Sequence, residues 1–313
     1  MKLSANSTNV TVMTFAFPPI LLDNAARADM TVSCRDCEAI PKVPDAGRVI
    51  SIGGRAVQIM HNGVSVVAGG YYGEWMTGII QRLRGHHEPQ EEVVFHEILK
   101  CLPSRATMVE LGGFWSYYSL WFKSQHSDER RAYVVEPDPK HLAVGRENAA
   151  LNNQQITFLQ AAVGAEPMAD MSFITESAGK IRIPQLSVPS LMREHRIGKV
   201  DILHCDIQGG ETAVIGSCEA LFRSGVIDFG IFSTHSHHIS GDPLTHQRCL
   251  AMLKDFGGLI LAEHDVHESF SGDGLIAVYF GHKTLQWTQP SISRNRYSNS
   301  LFRNPLYDLA AKS

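Results

Sequence analysis

The chain has 313 residues, 44% of them apolar and 19% charged, with a formal net charge of −4, the composition of a folded globular protein rather than a disordered one. That length buries one large core and permits one domain with an appendage, or two domains. Slight acidity and the lack of a long basic run exclude a dedicated nucleic-acid surface and leave a small molecule as the expected partner.

No apolar stretch is long enough to span a bilayer. The best run, residues 10–22, is broken by Pro18 and Pro19 and has no basic leader beyond Lys2. A cytoplasmic chain is therefore expected, with silent sequons at Asn6 and Asn9 and six reduced cysteines. Cys34 and Cys37 form a lone CxxC with no second pair at metal spacing.

Residues 1–45 have weak periodicity and a loop-like composition around Pro41 and Pro44. They read as a partly ordered arm, and a homodimer formed through it is one option. Residues 48–68, within a 46–87 unit, alternate apolar and polar positions around the tight-turn pairs Gly53-Gly54 and Asn62-Gly63. They predict a small three-stranded β-meander. The segment GGYYGEWM (69–76) then leads into a short helix near 77–83. Its Tyr71, Tyr72 and Trp75 either offer stacking surfaces to a sugar ring or only pack the hairpins onto the main domain.

The pattern changes at Glu88, the start of a domain expected over 88–285, with 286–313 left as a tail. Pro89 fits a first helical turn, followed by Val93, Val94, Ile98 and Leu99 at helical spacing. Strands are predicted at 106–111, 132–136, 156–160, 200–206, 227–233, 258–263 and 274–280. Helices are predicted near 115–125, 139–151, 189–195, 211–222 and 244–256. Such alternation implies an α/β fold, a doubly wound sheet with helices on both faces. Residues 264–273 are too few for a parallel crossover, so the last strand should run antiparallel to its neighbour.

Open α/β sheets bind ligands outside the carboxyl ends of their strands. The first strand of this domain ends in Glu110-Leu111-Gly112-Gly113. A dinucleotide site would want glycines at 112, 114 and 117, but Phe114 and Tyr117 stand at two of these, which disfavours NAD or a flavin. Glu136 closes the second strand, where a carboxylate can accept from both ribose hydroxyls. The ligand implied has an adenosine and no diphosphate, and S-adenosylmethionine fits. Its ammonium can meet Glu110, its carboxylate free N–H groups at a helix N-terminus, and its sulfonium a carboxylate or the faces of Trp115, Tyr117 or Tyr118. Either acid alone reads as an ordinary strand-end residue; the ordered pair carries the inference.

Four motifs in order resemble those of the FkbM-type methyltransferases over about residues 88–280. ELGGFWSYYS (110–119) is similar to the family's DxGANxGYYS, and EPDPKHLAVGRENAALN (136–152) to EPxPxxxxxLxxNxxLN. QAAVGAE (160–166) resembles NAAVGDE, and VDILHCDIQGGETAVI (200–215) resembles VDFLKIDVEGAELEVL. The resemblance implies a Rossmann-like class I methyltransferase fold, seven strands ordered 3-2-1-4-5-7-6, with S-adenosyl-L-methionine as cofactor. It implies cofactor contacts from Glu110, Gly112, Gly113, Ser116, Glu136, Pro137 and Asp206, and from Ala161 and Ala162 where the adenine edge is read. Asn148 and Asn152 match the motif as caps, packing residues or pocket residues. Ser116 replaces a glycine, Phe114 a small polar residue, His204 a lysine and Gln208 a glutamate, departures that mean a shifted substrate or a weakened enzyme.

Methyl transfer is an in-line displacement, and an alcohol acceptor at neutral pH is helped by a base or a metal. By resemblance Asp206 faces the methyl group or the acceptor. FSTHSHH supplies His235, whose position resembles the family's strand-end histidine, and His237 and His238 beside it. An imidazole here takes the acceptor's proton, with His235 favoured and His237 next, or is only a loop histidine bonded to backbone. A divalent ion held by Asp206, His235, His237 and Glu263 is the alternative, but no tight ligand motif is present, so no metal is expected. Asp273 contacts substrate or ends its loop. The leading function is O-methylation of a hydroxyl on a sugar or natural-product small molecule. N-methylation and a catalytically silent nucleoside-binding scaffold are the alternatives.

Overall fold

A computed structural model describes residues 22–126, 129–296 and 299–301. The sequons at Asn6 and Asn9, all but the last residue of the 10–22 run, and most of the tail beyond 296 lie outside the described residues. Helix α1 (Asn24–Ser33) begins where Asp23 accepts the Ala26 N–H at 2.8 Å. A short 3-10 helix, Asp36–Ala39, follows. Ordered helix therefore occupies part of the expected arm. Its burial is confined to Ala28, Met30 and Thr31, too few apolar positions to print a period on the sequence.

The meander is present as β1 (Val49–Ile52), β2 (Arg55–Ile59) and β3 (Ser65–Val67), paired antiparallel with registers Val49↔Gln58 and Ile59↔Ser65. Helices α2 (Gly73–Arg82) and α3 (Pro89–Lys100) lead from it into the main domain. There the chain forms β4 (Thr107–Leu111), α4 (Tyr117–Ser124), β5 (Arg131–Val135), α5 (Pro139–Leu151) and β6 (Thr157–Leu159). A side sheet follows, of β7 (Ala162–Val163), β8 (Met168–Thr175) and β9 (Gly179–Leu186). Next come α6 (Val188–Glu194), β10 (Val200–Cys205), α7 (Glu211–Ser217), α8 (Glu219–Arg223), β11 (Ile227–Thr234) and α9 (His237–Ser240). The main domain ends with α10 (Thr245–Asp255), β12 (Leu259–His264) and β13 (Gly274–Tyr279).

The main sheet has the order β6-β5-β4-β10-β11-β13-β12, which in chain order is the expected 3-2-1-4-5-7-6. β13 runs antiparallel to both β11 and β12, and the other pairings are parallel. This is the doubly wound, Rossmann-like arrangement of class I methyltransferases. β4, β10 and β13 are buried at every position, as strands covered on both faces must be, which is why they read as mostly apolar runs. Alternate residues feed two cores: Met108 and Ile202 join Phe95, Trp121 and Ile79, while Val109 and Leu203 join Val214, Phe222 and Phe232. Glu110 and His204 are register partners at the carboxyl ends of β4 and β10. No helix among the described residues is long and apolar enough to cross a membrane. All six cysteines are free thiols.

Two motif asparagines dock the meander. Asn148 on α5 accepts the Val67 N–H at 2.8 Å and donates to the Trp115 carbonyl at 3.0 Å, and Asn152 brackets the Ser65 backbone as acceptor and donor. They are packing residues between α5 and β3.

Candidate active site

The cleft lies beyond the carboxyl ends of β4, β5 and β10. The chain leaving β4 passes so close to its neighbours that no side chain fits. A Cβ on Gly112, whose φ is +77°, would sit 1.7 Å from the Asp206 carbonyl oxygen, and one on Gly113 would sit 2.3 Å from Val134 Cγ1. Glu136 follows β5 and is buried. One of its oxygens accepts the Phe114 N–H at 2.9 Å and the other the Asp138 N–H at 2.8 Å. Each oxygen offers about two acceptor directions, so one on each remains for a ligand.

Glu110 points under the start of α4, where it accepts the Ser119 N–H at 3.2 Å. Burial pushes its carboxyl up to about 7, against the pull of His204. This acid already occupies the helix N-terminus that a pyrophosphate would use, so a dinucleotide would meet like charge there. Phe114 lines the cleft as expected. Tyr117 does not: it is buried in the core with its hydroxyl 2.8 Å from His61 Nδ1, so phosphate exclusion falls to Phe114 and Glu110.

The cleft encloses about 430 Å³, within the range of small-ligand sites. Glu110, Gly112, Gly113, Glu136, Pro137, Ala162 and Asp206 line it. Ser116 and Ala161 do not. Ser116 is fully buried at φ +62° before α4, and Ala161 points from the strand to the face opposite Ala162. The far wall comes from residues that the motifs did not single out. His141 stacks on Phe114 at 3.5 Å, and Phe173 to Glu176 hang over from β8. The β8–β9 hairpin is tied down at Ser177, whose N–H donates to Asp138 at 2.7 Å. Its strands are largely exposed, so they carry no apolar signature.

A second cavity of about 600 Å³ adjoins the first and shares Tyr71, Tyr72, His87, Glu88, Asp206 and Gln208 with it. Trp75, Arg27 and Asp273 complete its walls. Tyr71 lies parallel to Trp115, ring centres 4.6 Å apart.

His235 lines the second cavity. Its Nδ1 is 2.7 Å from Glu211 Oε1, and its Nε2 is 3.1 Å from Asp206 Oδ1 and 3.6 Å from Asp273 Oδ1. Burial disfavours its charge, but Asp273, Asp206 and Glu211 together hold its pKa well above the ordinary value. The three carboxylates around the ring favour its protonated form, in which both nitrogens donate. Burial pushes the Asp273 carboxyl up to about 7, with Asp206 and Glu88 adding to the rise and His235 and Arg27 opposing it. His237 is exposed and lines neither cavity, whereas His238 lines the second. Glu263 sits on β12, beyond the intervening β13, and pairs with His246 at 3.1 Å and Arg294 at 3.4 Å. Asp206, His235, His237 and Glu263 do not converge on one ion.

The family profile described as "Methyltransferase FkbM domain" matches residues 101–258, half of the chain. The chain belongs to the FkbM methyltransferase family. It is an S-adenosylmethionine-dependent methyltransferase. Its fold is similar to that of solved structures at low identity. Precorrin-6y C5,15-methyltransferase from Geobacter metallireducens GS-15 is 13% identical, over 60% of this chain and 87% of that one, with a TM-score of 0.40. TrmK from M. capricolum, in complex with S-adenosyl-homocysteine, is 13% identical over 61% and 71%, with a TM-score of 0.37. The METTL16 MTase domain is 11% identical over 61% and 68%, with a TM-score of 0.40. A comparison with curated proteins finds no match.

The departures of this FkbM methyltransferase from the family pattern have local causes. Ser116 takes up a left-handed backbone where the family has glycine, at a cost of about 1 kcal/mol. Gln208 also has positive φ, +54°, and faces both cavities. His204, at the lysine position, bonds Glu91 Oε1 at 2.7 Å, and Ser233 donates to the other Glu91 oxygen at 2.8 Å. Burial lowers the His204 pKa, but Glu91 and Glu110 outweigh it and raise the value overall.

Proposed function

We propose that the enzyme transfers a methyl group to a hydroxyl of a small molecule, a sugar or natural-product scaffold, with Asp273 as the proton acceptor. The observation that carries this reading is the meeting of two cavities at Asp206 above a histidine clamped by three carboxylates. Glu136 would hold the ribose hydroxyls, Glu110 the ammonium group, and Ala162 with the β8 overhang the adenine. When bound, S-adenosylmethionine supplies an electrophilic methyl group.

The residues of the second cavity do the rest. Tyr71, Tyr72 and Trp75 offer faces to a sugar ring and displace water from it. Asp206 orients the hydroxyl toward the cofactor cleft, which turns encounter into alignment. The hydroxyl proton passes to Asp273, whose pKa near 7 suits a base working at neutral pH. His235 stays charged, holds Asp206 and Asp273 in place, and is itself fixed by Glu211. Six free thiols fit a cytoplasmic setting. Glu88, Asp206 and Asp273 would also attract a protonated amine, which makes N-methylation the second reading.

A screen of hydroxylated sugars, phenols, hydroxy acids and amines with labelled methyl donor tests the choice. Label in ethers is expected; label in amines alone would contradict the O-methyl reading. With any hydroxyl acceptor found, kcat/KM should rise as pH passes upward through about 7, because the base form of Asp273 is lost below its pKa. The carboxylates of Asp206 and Glu88 and the cations of His235 and Arg27 all face this group. The rise should vanish in Asp273→Asn; a profile unchanged by that substitution would place the base elsewhere.

A further inference from the structure

Three ligand-type side chains converge away from both cavities. His61 follows β2, His86 lies between α2 and α3, and Glu92 sits in the first turn of α3. One ligand atom from each lies within 4.8 Å of the others, the one such cluster among the described residues, and no cysteine belongs to it. The three side chains are buried, at 2%, 0% and 0% exposure. None lines a cavity of the active site, and none falls in the 101–258 segment shared with the family. We propose that His61, His86 and Glu92 form a structural site for a divalent transition-metal ion, zinc by the chemistry of two imidazole nitrogens and a carboxylate oxygen.

The surroundings are those of a built site. Ligating histidines are usually fixed through their other nitrogen, and ligating carboxylates are bonded in turn. In this cluster the Tyr117 hydroxyl meets His61 Nδ1 at 2.8 Å, leaving Nε2 free for an ion. One Glu92 oxygen accepts the N–H groups of His87 at 2.8 Å and Glu88 at 3.3 Å and lies 2.6 Å from the His87 ring Nδ1, and the other faces His86 Nδ1, the contact an ion would replace. The Nε2 of His86 is buried with no hydrogen-bond partner, a state that buried polar atoms rarely keep.

Backbone also pins the ligands in place. The His61 N–H donates to the Gly85 carbonyl at 3.0 Å, and a Cβ on Gly85 would sit 2.2 Å from the His61 nitrogen. The loop bearing His61 and the loop bearing His86 are thus in contact at a position only glycine allows.

The two rings now stack at 4.1 Å with a 16° tilt. Ligation at about 2.0–2.2 Å requires them to open by side-chain rotation. The ion would staple the meander and the α2–α3 loop to α3, and so fix His87 and Glu88 in the walls of both cavities.

Metal analysis of the purified full chain, grown with added zinc and desalted, tests this. About one zinc per chain is expected, falling below about 0.1 in His61→Asn and in His86→Gln. Because losing a buried ligand can itself unfold these variants, the unmodified chain is also melted with chelator and after zinc is restored. Chelation should lower Tm by about 5 °C or more, and zinc should return it. Less than about 0.1 zinc per chain together with a Tm indifferent to added zinc would make the cluster a metal-free hydrogen-bonded network and overturn the proposal. Zinc retained by folded His61→Asn and His86→Gln would overturn it as well.

Discussion

Replacing Glu136 with alanine should weaken S-adenosylhomocysteine binding by at least about 100-fold, that is by about 3 kcal/mol or more. Two charge-assisted hydrogen bonds to the ribose would be lost, each contributing about 1.5–3 kcal/mol. The same carboxylate also holds the Phe114 and Asp138 N–H groups, so its removal frees both loops that wall the cleft. Glu136→Gln keeps the shape and one acceptor oxygen, and should lose about tenfold or less. Calorimetric titration of the three proteins measures the series. An affinity in Glu136→Ala within about threefold of the unmodified enzyme would remove the ribose assignment.

The second large effect is expected at His235. In His235→Ala, turnover should fall by about 10³, while cofactor affinity stays within about threefold. The histidine acts through its neighbours. Without it, Asp206, Glu211 and Asp273 lose their shared cation, and the like charges left together no longer hold their positions. Direction follows from sign: a cation lowers the pKa of an adjacent acid, so its loss raises that of Asp273. The rise of kcat/KM with pH should therefore move above 7 in the variant. His235→Gln, which keeps hydrogen bonds without the charge, should show the same shift with a smaller loss of stability. Wild-type turnover and an unmoved profile would mean that the proton leaves by another route.

These expectations rest on a fold that the sequence largely announces. Strands covered on both faces show little regular polar alternation, so β4, β10 and β13 stand out as mostly apolar runs. The reversal of β13 follows from the short 264–273 connection alone. Glu110 and Glu136 are legible because strand ends at the switch point define the ligand site, whatever the side chains around them.

Side chain direction is what the sequence leaves open. Ala161 and Ala162 are consecutive in an extended segment, so only one can face the cleft, and it is Ala162. Ser116 turns inward because its backbone is left-handed. Glu263 cannot reach His235 because β13 separates β11 from β12, a consequence of strand order that strand spacing does not reveal. His237 belongs to the exposed turn of α9. The β8–β9 hairpin and α1 carry no signal because each buries only a few residues, yet Phe173 and Arg27 reach the two cavities from them. The electrostatic setting was equally hidden: His235 reads as a base by residue type, and only the convergence of Asp206, Glu211 and Asp273 raises its pKa.

Titration of the unmodified enzyme with S-adenosylhomocysteine and, separately, with NAD most directly tests whether the cleft between β4 and β5 holds an adenosine without linked phosphates. One equivalent of S-adenosylhomocysteine should bind with a Kd of about 1–100 μM, and NAD should give no measurable binding at about 1 mM. Tight NAD binding, or no heat with S-adenosylhomocysteine, would contradict the cofactor-binding roles of Glu110 and Glu136 and the exclusion of phosphates by Phe114.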